Sequence, residues 1–507
     1  MLDNIQLSGK HLIAGQWVEG GTEFKSDPVT GSARTVCSGG ATEIDRAVRA
    51  AEQAFATYGW SERETRARFL ETIADEIEAR GAALTALGAN ETGLPKARLE
   101  GERARTTGQL RMFAAHIRKG DYLDRRHDVA LPDRQPLPRP DLRLIQRPLG
   151  AVAVFGASNF PLAFSTAGGD TAAALAAGCP VVYKGHPAHP ATGELVARAI
   201  EAAIEALSLP AGTFGFVQSN TNEAGEALVR HPLIRAVGFT GSFHGGKALF
   251  DIAMSRPEPI PFYGELGSIN PVFVFPAALA ARGREIGAGW AGSLTMGVGQ
   301  FCTNPGIVVL PQGPDGDAFR DAALRALDEI APQPMLTQGV ARGYADAVAR
   351  VAATARRLTE AKVPPARCGA PVVFEVTDTE WLATPDLAQE MFGPAAILVR
   401  TASPETMMRV AKSFSGQLTA TVQMDAEDTE QARNLMPVLE RMAGRILANG
   451  FPTGVEVADA MVHGGPFPAS TNFGATSVGS LGIRRFLRPI SFQNLPEALL
   501  PADLRDV

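Results

Sequence analysis

Between residues 150 and 240 the chain repeats one pattern, and this pattern restricts the fold more than any other feature. Short apolar runs at 151–155, 180–183, 213–218 and 235–239 read as buried strands. Longer stretches at 161–177, 192–207 and 222–231 lie between them and read as helices. Strands of this kind are apolar on both faces, and successive parallel strands need a crossover of helical length. The alternation therefore predicts a parallel sheet with helices on both faces. In open sheets of this type ligands gather at the C-terminal strand ends.

The chain has 507 residues, more than one hydrophobic core holds, so two or three domains are expected. Residues 42–90 read as helical: Ile44, Val48, Ala51 and Phe55 recur at helical spacing, and so do Phe69, Ile73 and Ile77. A third helical stretch is expected at about 96–118. The segment 133–148 is rich in Pro and Arg and is excluded from a regular helix interior; it reads as an extended arm or hairpin. A second α/β stretch runs from Pro271 to about Ala460. The tail after Gly464 is rich in Gly, Pro, Ser and Phe and leads into a mixed apolar segment at 486–500.

A net charge of -6 without a long basic run argues against nucleic acid as the main partner. Cys37, Cys179, Cys302 and Cys368 are too widely spaced for a CxxC metal pair or a disulfide framework, and they read as reduced thiols of a cytoplasmic protein. The first twenty residues lack a basic region followed by an apolar run, so no secretion signal is expected. No apolar stretch is long enough to span a bilayer.

Three segments carry chemistry. In Gly299-Gln300-Phe301-Cys302-Thr303-Asn304-Pro305-Gly306, a Cys lies in a loop among small and polar residues. It is a candidate nucleophile, and a buried structural thiol is the plainer alternative. Glu265-Leu266-Gly267-Ser268-Ile269-Asn270-Pro271 follows an apolar run and places a carboxylate where a strand meets a turn. Phe155-Gly156-Ala157-Ser158-Asn159-Phe160-Pro161 places the Asn159 amide at a strand's C-terminal end, just before a helix expected to open with Pro.

Together these segments resemble the aldehyde dehydrogenase superfamily. The likeness extends to Val181-Val182-Tyr183-Lys184, Gly238-Phe239-Thr240-Gly241-Ser242, Glu390-Met391-Phe392-Gly393-Pro394 and Asn449-Gly450-Phe451-Pro452-Thr453-Gly454, and so covers nearly the whole chain. Each motif alone is weak; their common order and spacing is what carries the resemblance. It implies an α/β fold with a Rossmann-type cofactor domain, an α/β catalytic domain and a small β oligomerisation arm. The expected boundaries are 1–127 plus 146–264 for cofactor binding, 265–465 for catalysis, and 128–145 with 466–507 for the arm and C-terminal segment. A homodimer or homotetramer would cover an exposed apolar arm.

The resemblance also implies roles. Cys302 would attack the aldehyde carbon as a thiolate. The Asn159 amide and the Cys302 backbone N–H would stabilise the oxyanion. Glu265 would activate the water that hydrolyses the thioester. Gly241 and Ser242 would lie near the pyrophosphate at a helix N-terminus. Lys184 would contact the adenosine ribose, Glu390 the nicotinamide ribose, and Phe392 would pack near that ring. Many NAD-using members carry Glu three residues after the strand-end lysine; here Pro187 stands there, with His186 beside it. NADP is therefore expected, with NAD possible. His186 and His189 flank Pro187, but no third ligand is evident, and no metal is expected.

Within the family the chain is most similar to the bacterial α-ketoglutaric semialdehyde (2,5-dioxopentanoate) dehydrogenases. The residues that carry this are 155–161, 167–171, 268–271, 300–305 and the run 101–109, Gly-Glu-Arg-Ala-Arg-Thr-Thr-Gly-Gln. A semialdehyde carries a carboxylate, and Arg105 is the candidate to pair with it. An outward-facing, solvated Arg105 is the alternative. Phe160 and Phe467 are candidates for the substrate tunnel or equally for the core. An NADP-linked fatty aldehyde dehydrogenase is the alternative substrate reading. A catalytically inactive binding or structural scaffold is the alternative of another class, and it predicts damage to the catalytic set. A CoA-acylating member commonly lacks the glutamate at position 265.

Overall fold

The computed structural model describes residues 7–361 and 363–505. The first six residues of the stretch read for a leader, and the last two of the C-terminal segment, lie outside them.

The expected parallel sheet is present. Its strands are Val152–Phe155, Val181–Gly185, Phe214–Gln218, Ala236–Thr240 and Phe262–Glu265. In space they run Phe262–Glu265, Ala236–Thr240, Val152–Phe155, Val181–Gly185, Phe214–Gln218, then an antiparallel hairpin of His11–Ile13 and Gln16–Val18. The strand order thus reverses between Val152–Phe155 and Ala236–Thr240. That is the switch point at which a doubly wound sheet opens a crevice for a ligand. Asn159 follows one of these two strands, and Gly241 and Ser242 follow the other. Helices Ala41–Tyr58 and Pro190–Ala206 cover the sheet with apolar stripes, among them Ile44, Val48 and Ala51 on the first.

One expected helix is shorter than its pattern suggested. Residues 161–177 read as one helix, but only Gly169–Ala177 is helical. Glu102 takes the backbone N–H groups of Leu162 and Ala163 at 2.8 and 3.0 Å, and Ala157 N–H donates to the Phe164 carbonyl. These bonds hold 161–168 as a loop, so Pro161 does not open a helix. Tertiary hydrogen bonds here override an apolar run of helical length.

A second sheet of seven strands follows. Its order is Arg356–Arg357, Val372–Thr377, Ala395–Thr401, Ile307–Pro311, Val272–Val274, Gln417–Gln423, Ala443–Ala448, all parallel except the first. Its central strands are buried on both faces.

The Pro-rich arm and the C-terminal segment meet in a third, antiparallel sheet. Leu142–Pro148 pairs with Arg126–Asp128 on one side and Leu487–Gln493 on the other. A buried ion pair ties this end to the first sheet: Arg485 Nη1 lies 2.6 Å from Asp170 Oδ1, at the start of Gly169–Ala177. Among the described residues no helix is long and apolar enough to cross a membrane.

Candidate active site

The loop that carries Cys302 is fixed by backbone geometry before any side chain acts. Helix Pro276–Thr295 ends, and Gly297, Val298 and Gly299 follow with φ of 55, 59 and 65°. A Cβ on Gly299 would stand 2.3 Å from the Gly393 backbone, so only glycine fits there. Val298 holds a left-handed conformation that a β-branched residue adopts only under constraint, and it is buried. Asn270 clamps the other side of the loop. Its Nδ2 donates to the Cys302 carbonyl at 2.8 Å and to the Asn304 carbonyl at 2.9 Å, while its Oδ1 accepts from Thr419.

Cys302, the candidate nucleophile, lies among charges. One donor atom from each of Cys302, Glu265 and His463 lies within 4.8 Å of the others. The His463 Nε2 is 3.5 Å from the Cys302 sulfur and 3.0 Å from Glu265 Oε1. The sulfur contact has hydrogen-bond geometry; the carboxylate contact does not, and Glu265 Oε1 is a buried oxygen without a hydrogen-bond partner. Glu265 Oε2 accepts from the Ser477 hydroxyl at 3.2 Å. Both Glu265 and His463 are almost fully enclosed.

These contacts set the acidities. Burial pushes the Cys302 thiol well above its ordinary value, and the neighbouring Glu265 carboxylate pushes it further. Burial also works to raise Glu265, but His463 and the hydrogen bonds around the carboxylate more than offset it, so Glu265 stays below its usual value. Glu265 is therefore ionised at neutral pH and able to accept a proton. The thiol needs a base to become a nucleophile.

Asn159 is buried beside this loop. Its Nδ2 donates to the Gln300 carbonyl at 2.9 Å, two residues before the nucleophile. One amide N–H is thus spent on orientation, and the second remains for an oxyanion. The Asn159 carbonyl accepts from Arg98 Nη2 at 2.9 Å, and the Arg98 guanidinium lies over the Phe160 and Phe301 rings at 4.8 and 4.6 Å. Phe160 packs edge-on against both Phe164 and Phe301.

Arg105 is on the same helix as Arg98, Lys96–Lys119, and turns inward rather than to solvent. Its guanidinium lies 5.6 Å from the Phe164 ring centroid and bonds the Val455 carbonyl through Nη1. Its Nη2 is buried with no hydrogen-bond partner. Arg445 approaches from the second sheet, bonding the Gly454 and Pro452 carbonyls at 2.9 and 2.6 Å, with its Nε also unpartnered. Burial lowers the pKa of both arginines, and both lie close enough to Cys302 to sense a charge on it. Phe467 is half exposed, and its ring packs on Phe243 at the start of helix Phe243–Ser255.

The nucleotide side is more open. Residues 242–245 are exposed, and the Ser242 hydroxyl caps helix Phe243–Ser255 by accepting from Gly245 N–H at 3.3 Å. Gly241 N–H donates to the Glu265 carbonyl, so the turn is anchored to the catalytic strand. Lys184 is the penultimate residue of strand Val181–Gly185, donates to the Ser219 carbonyl at 2.7 Å, and is lowered to about 8 by burial. His186 stacks on His189 at 5.1 Å, and its Nδ1 accepts from Ala188 N–H. Burial drives the His186 pKa well down, so the ring is neutral. Burial therefore works against a charge on His186 beside Pro187, and Lys184 is the cation there. Glu390 and Phe392 line one pocket with Ser268, Phe301 and Asn304. Glu390 receives the Ser268 N–H at 3.5 Å and is raised to about 8 by burial.

The family described as "Aldehyde dehydrogenase family" matches residues 17–487. The chain belongs to the aldehyde dehydrogenase family. It is 51% identical over 510 residues to α-ketoglutaric semialdehyde dehydrogenase 2 of Azospirillum brasilense, covering 99% of this chain and 97% of that one. Betaine aldehyde dehydrogenase of Staphylococcus aureus, solved with NAD+, has the same fold with a TM-score of 0.83 at 21% identity, over 98% of this chain and 97% of that one. A 3,6-anhydro-L-galactose dehydrogenase solved with NADP gives 0.81 at 20% identity, over 96% and 99%. Nucleotides of both kinds thus occur on this aldehyde dehydrogenase fold.

Sequence reasoning singled out Cys302, Glu265 and Asn159, and the aldehyde dehydrogenase site brings their loops together. It missed His463, Arg98 and Arg445. His463 lies in Met461-Val462-His463-Gly464-Gly465-Pro466, read only as the start of a Gly- and Pro-rich tail. A lone His before two glycines was the available signal.

Proposed function

We propose that this aldehyde dehydrogenase oxidises 2,5-dioxopentanoate to 2-oxoglutarate, with NADP preferred and NAD accepted. The observation that carries the substrate reading is Arg105: a guanidinium nitrogen, buried and unpartnered, near the nucleophile. A buried donor left unsatisfied is costly, and a carboxylate on the far end of the substrate would satisfy it. Arg445 adds a second cation. A long alkanal would leave Arg105 Nη2 and Arg445 Nε without a hydrogen-bond partner, which disfavours the fatty aldehyde reading. The similarity to the Azospirillum enzyme supports the same substrate.

In this reading the substrate enters past Phe160 and Phe164 with its carboxylate toward Arg105. Cys302 adds to the aldehyde carbon, giving a thiohemiacetal whose oxyanion receives the Asn159 amide and the Cys302 N–H. The nicotinamide, when bound, accepts the hydride. Lys184, Ser242 and Glu390 would orient the dinucleotide, and Phe392 would pack beside it. Glu265 then takes a proton from water, and hydrolysis of the thioester releases the acid. The unpartnered Oε1 of Glu265 is an acceptor suited to that water.

NADP preference rests on the absence of a carboxylate at Pro187 and on Lys184 beside it. We assign residues 1–127 and 146–264 to nucleotide binding and 265–465 to catalysis. Exposed Val129, Leu131 and Leu137 on the arm, with Leu495 and Leu499 near the C-terminus, suit an interface between copies of the chain in a homodimer or homotetramer. Light scattering checks that assembly. Four unpaired cysteines fit a reducing, cytoplasmic setting.

The test is a panel of 2,5-dioxopentanoate, a short uncharged aldehyde and a long alkanal, each with NADP and NAD, on the parent and Arg105→Ala. The expected result is highest kcat/KM for the semialdehyde with NADP, and a loss in Arg105→Ala confined to the charged substrate. Equal loss on charged and uncharged aldehydes would reject Arg105 as its partner. A preference for NAD would reject the cofactor reading.

A further inference from the structure

Glu265 and Cys302 present a difficulty when taken as a pair. Both are buried, and an ionised carboxylate beside a thiol opposes formation of the thiolate. The group that resolves this is the imidazole of His463. Its Nε2 is the atom that meets the sulfur with hydrogen-bond geometry, at 3.5 Å, and the Glu265 carboxylate stands 3.0 Å from that same nitrogen. The residue is held from three directions: its backbone N–H donates to Thr476 Oγ1 at 2.9 Å, its carbonyl accepts from Ser477, and the Phe164 ring lies against the imidazole at a tilt of 51°, with 5.9 Å between centroids. Ser477 donates its backbone N–H to the His463 carbonyl and its hydroxyl to Glu265, so one residue ties the acid and the imidazole segment together.

We propose that His463 is a catalytic residue: it takes the proton from the Cys302 thiol, and the resulting imidazolium is stabilised by Glu265. This role rests on the thioester mechanism above and assigns its first proton transfer.

The bonds balance as follows. The S–H bond breaks and its proton forms Nε2–H on His463. The sulfur lone pair forms the C–S bond as the carbonyl pair moves to oxygen. The C–H bond breaks with its electron pair, which reduces the nicotinamide, and the carbonyl reforms as a thioester. Water loses a proton to Glu265 and adds to the carbonyl carbon; the C–S bond then breaks and its pair returns to sulfur. His463 gives its proton back to that sulfur. Protons from Glu265 and the product acid go to solvent, so each turnover releases two protons with one carboxylate and one reduced nucleotide.

The division of labour is economical. One negative charge serves twice, first to hold the imidazolium and then to accept the proton of water. The other charged groups around the sulfur are Glu390 from the turn before Met391, Arg105 from helix Lys96–Lys119 and Arg445 from strand Ala443–Ala448. All three remain in place in a His463 variant, so they do not account for a change seen there.

The experiment is the pH dependence of Cys302 alkylation by iodoacetamide in the full-length parent, His463→Gln and His463→Ala, with Cys302→Ser subtracted as the blank. Glutamine fills much of the ring's volume and donates to a carboxylate, but it cannot take up a proton; a thermal melt confirms its fold. The expected result is alkylation at pH 7 reduced at least tenfold in both variants, with the profile moved to higher pH. Added imidazole should restore alkylation and aldehyde turnover in His463→Ala and not in His463→Gln. Identical profiles in parent and variants would overturn the role of His463 while leaving aldehyde oxidation by the parent intact. Failure of the parent to oxidise any aldehyde would instead overturn the functional reading.

Discussion

Glu265 and Glu390 are two carboxylates that both act on the Cys302 thiol, and burial works on both in the same direction. Glu390 yields to it and is raised to about 8. Glu265 does not, because the neighbouring His463 and the polar contacts around the carboxylate more than offset it. The difference extends to their surroundings. On the catalytic side the loop backbone is clamped by Asn270, the Asn159 amide by Gln300 and the carboxylate by Ser477. On the nucleotide side the helix start at Ser242 is exposed, and the Ser268 N–H reaches Glu390 only at 3.5 Å. The chemistry is thus preorganised by the protein, while the nucleotide end is left for its ligand to complete.

Substitutions on the two sides should separate accordingly. Glu265→Gln should give the largest effect: steady-state turnover falls by about 10²–10⁴-fold, while a burst of reduced nucleotide remains, slowed by loss of the charge that holds the imidazolium but still faster than turnover. Stopped-flow absorbance reads both phases, and complete loss of the burst would mean that thioester hydrolysis is not the step Glu265 chiefly serves. Asn159→Ala should lower kcat by about 10²–10³-fold with little change in dinucleotide KM. An effect on KM alone would move Asn159 to the binding side of the comparison.

Effects at the nucleotide end should be smaller and dependent on pH. Lys184, lowered to about 8, loses its charge as pH rises through that value, so dinucleotide KM should climb above pH 8 in the parent and stay flat in Lys184→Arg. Glu390 has a folded-state pKa raised from 4.5 to about 8, so the folded state holds a proton that the unfolded chain releases in this window. Stability should therefore fall between pH 5 and 8, and Glu390→Gln should remove that slope in thermal melts of ligand-free enzyme. Ser242→Ala should cost about 1 kcal/mol or less through the lost cap, with a modest rise in dinucleotide KM. Calorimetry and initial rates check the pair.

Much of this was legible in the chain. The strand–helix alternation placed the parallel sheet because buried parallel strands are apolar throughout, and the four expected strands agree with the observed ones to within about two residues. The helix expected over 161–168 failed because Glu102, far off in sequence, claims the N–H groups of Leu162 and Ala163. Cys302, Glu265 and Asn159 stand in motifs at strand ends and loops, where a sequence pattern has meaning by itself. His463 and Arg445 come from beyond Pro271 and reach the site only through the packing of the second sheet and the tail. Apart from the two glycines that follow His463, nothing local marks them. His186 shows the converse: its residue type suggested charge, and burial removed it.

Trapping the intermediate tests the preorganised side most directly. Glu265→Gln is mixed with 2,5-dioxopentanoate and NADP, quenched in acid, digested and examined by mass spectrometry. One acyl group should be found on the peptide bearing Cys302, together with one equivalent of NADPH. An unmodified Cys302 alongside NADPH formation, or an acyl group on another residue, would contradict the thioester on Cys302 and with it the roles assigned to Glu265 and Asn159.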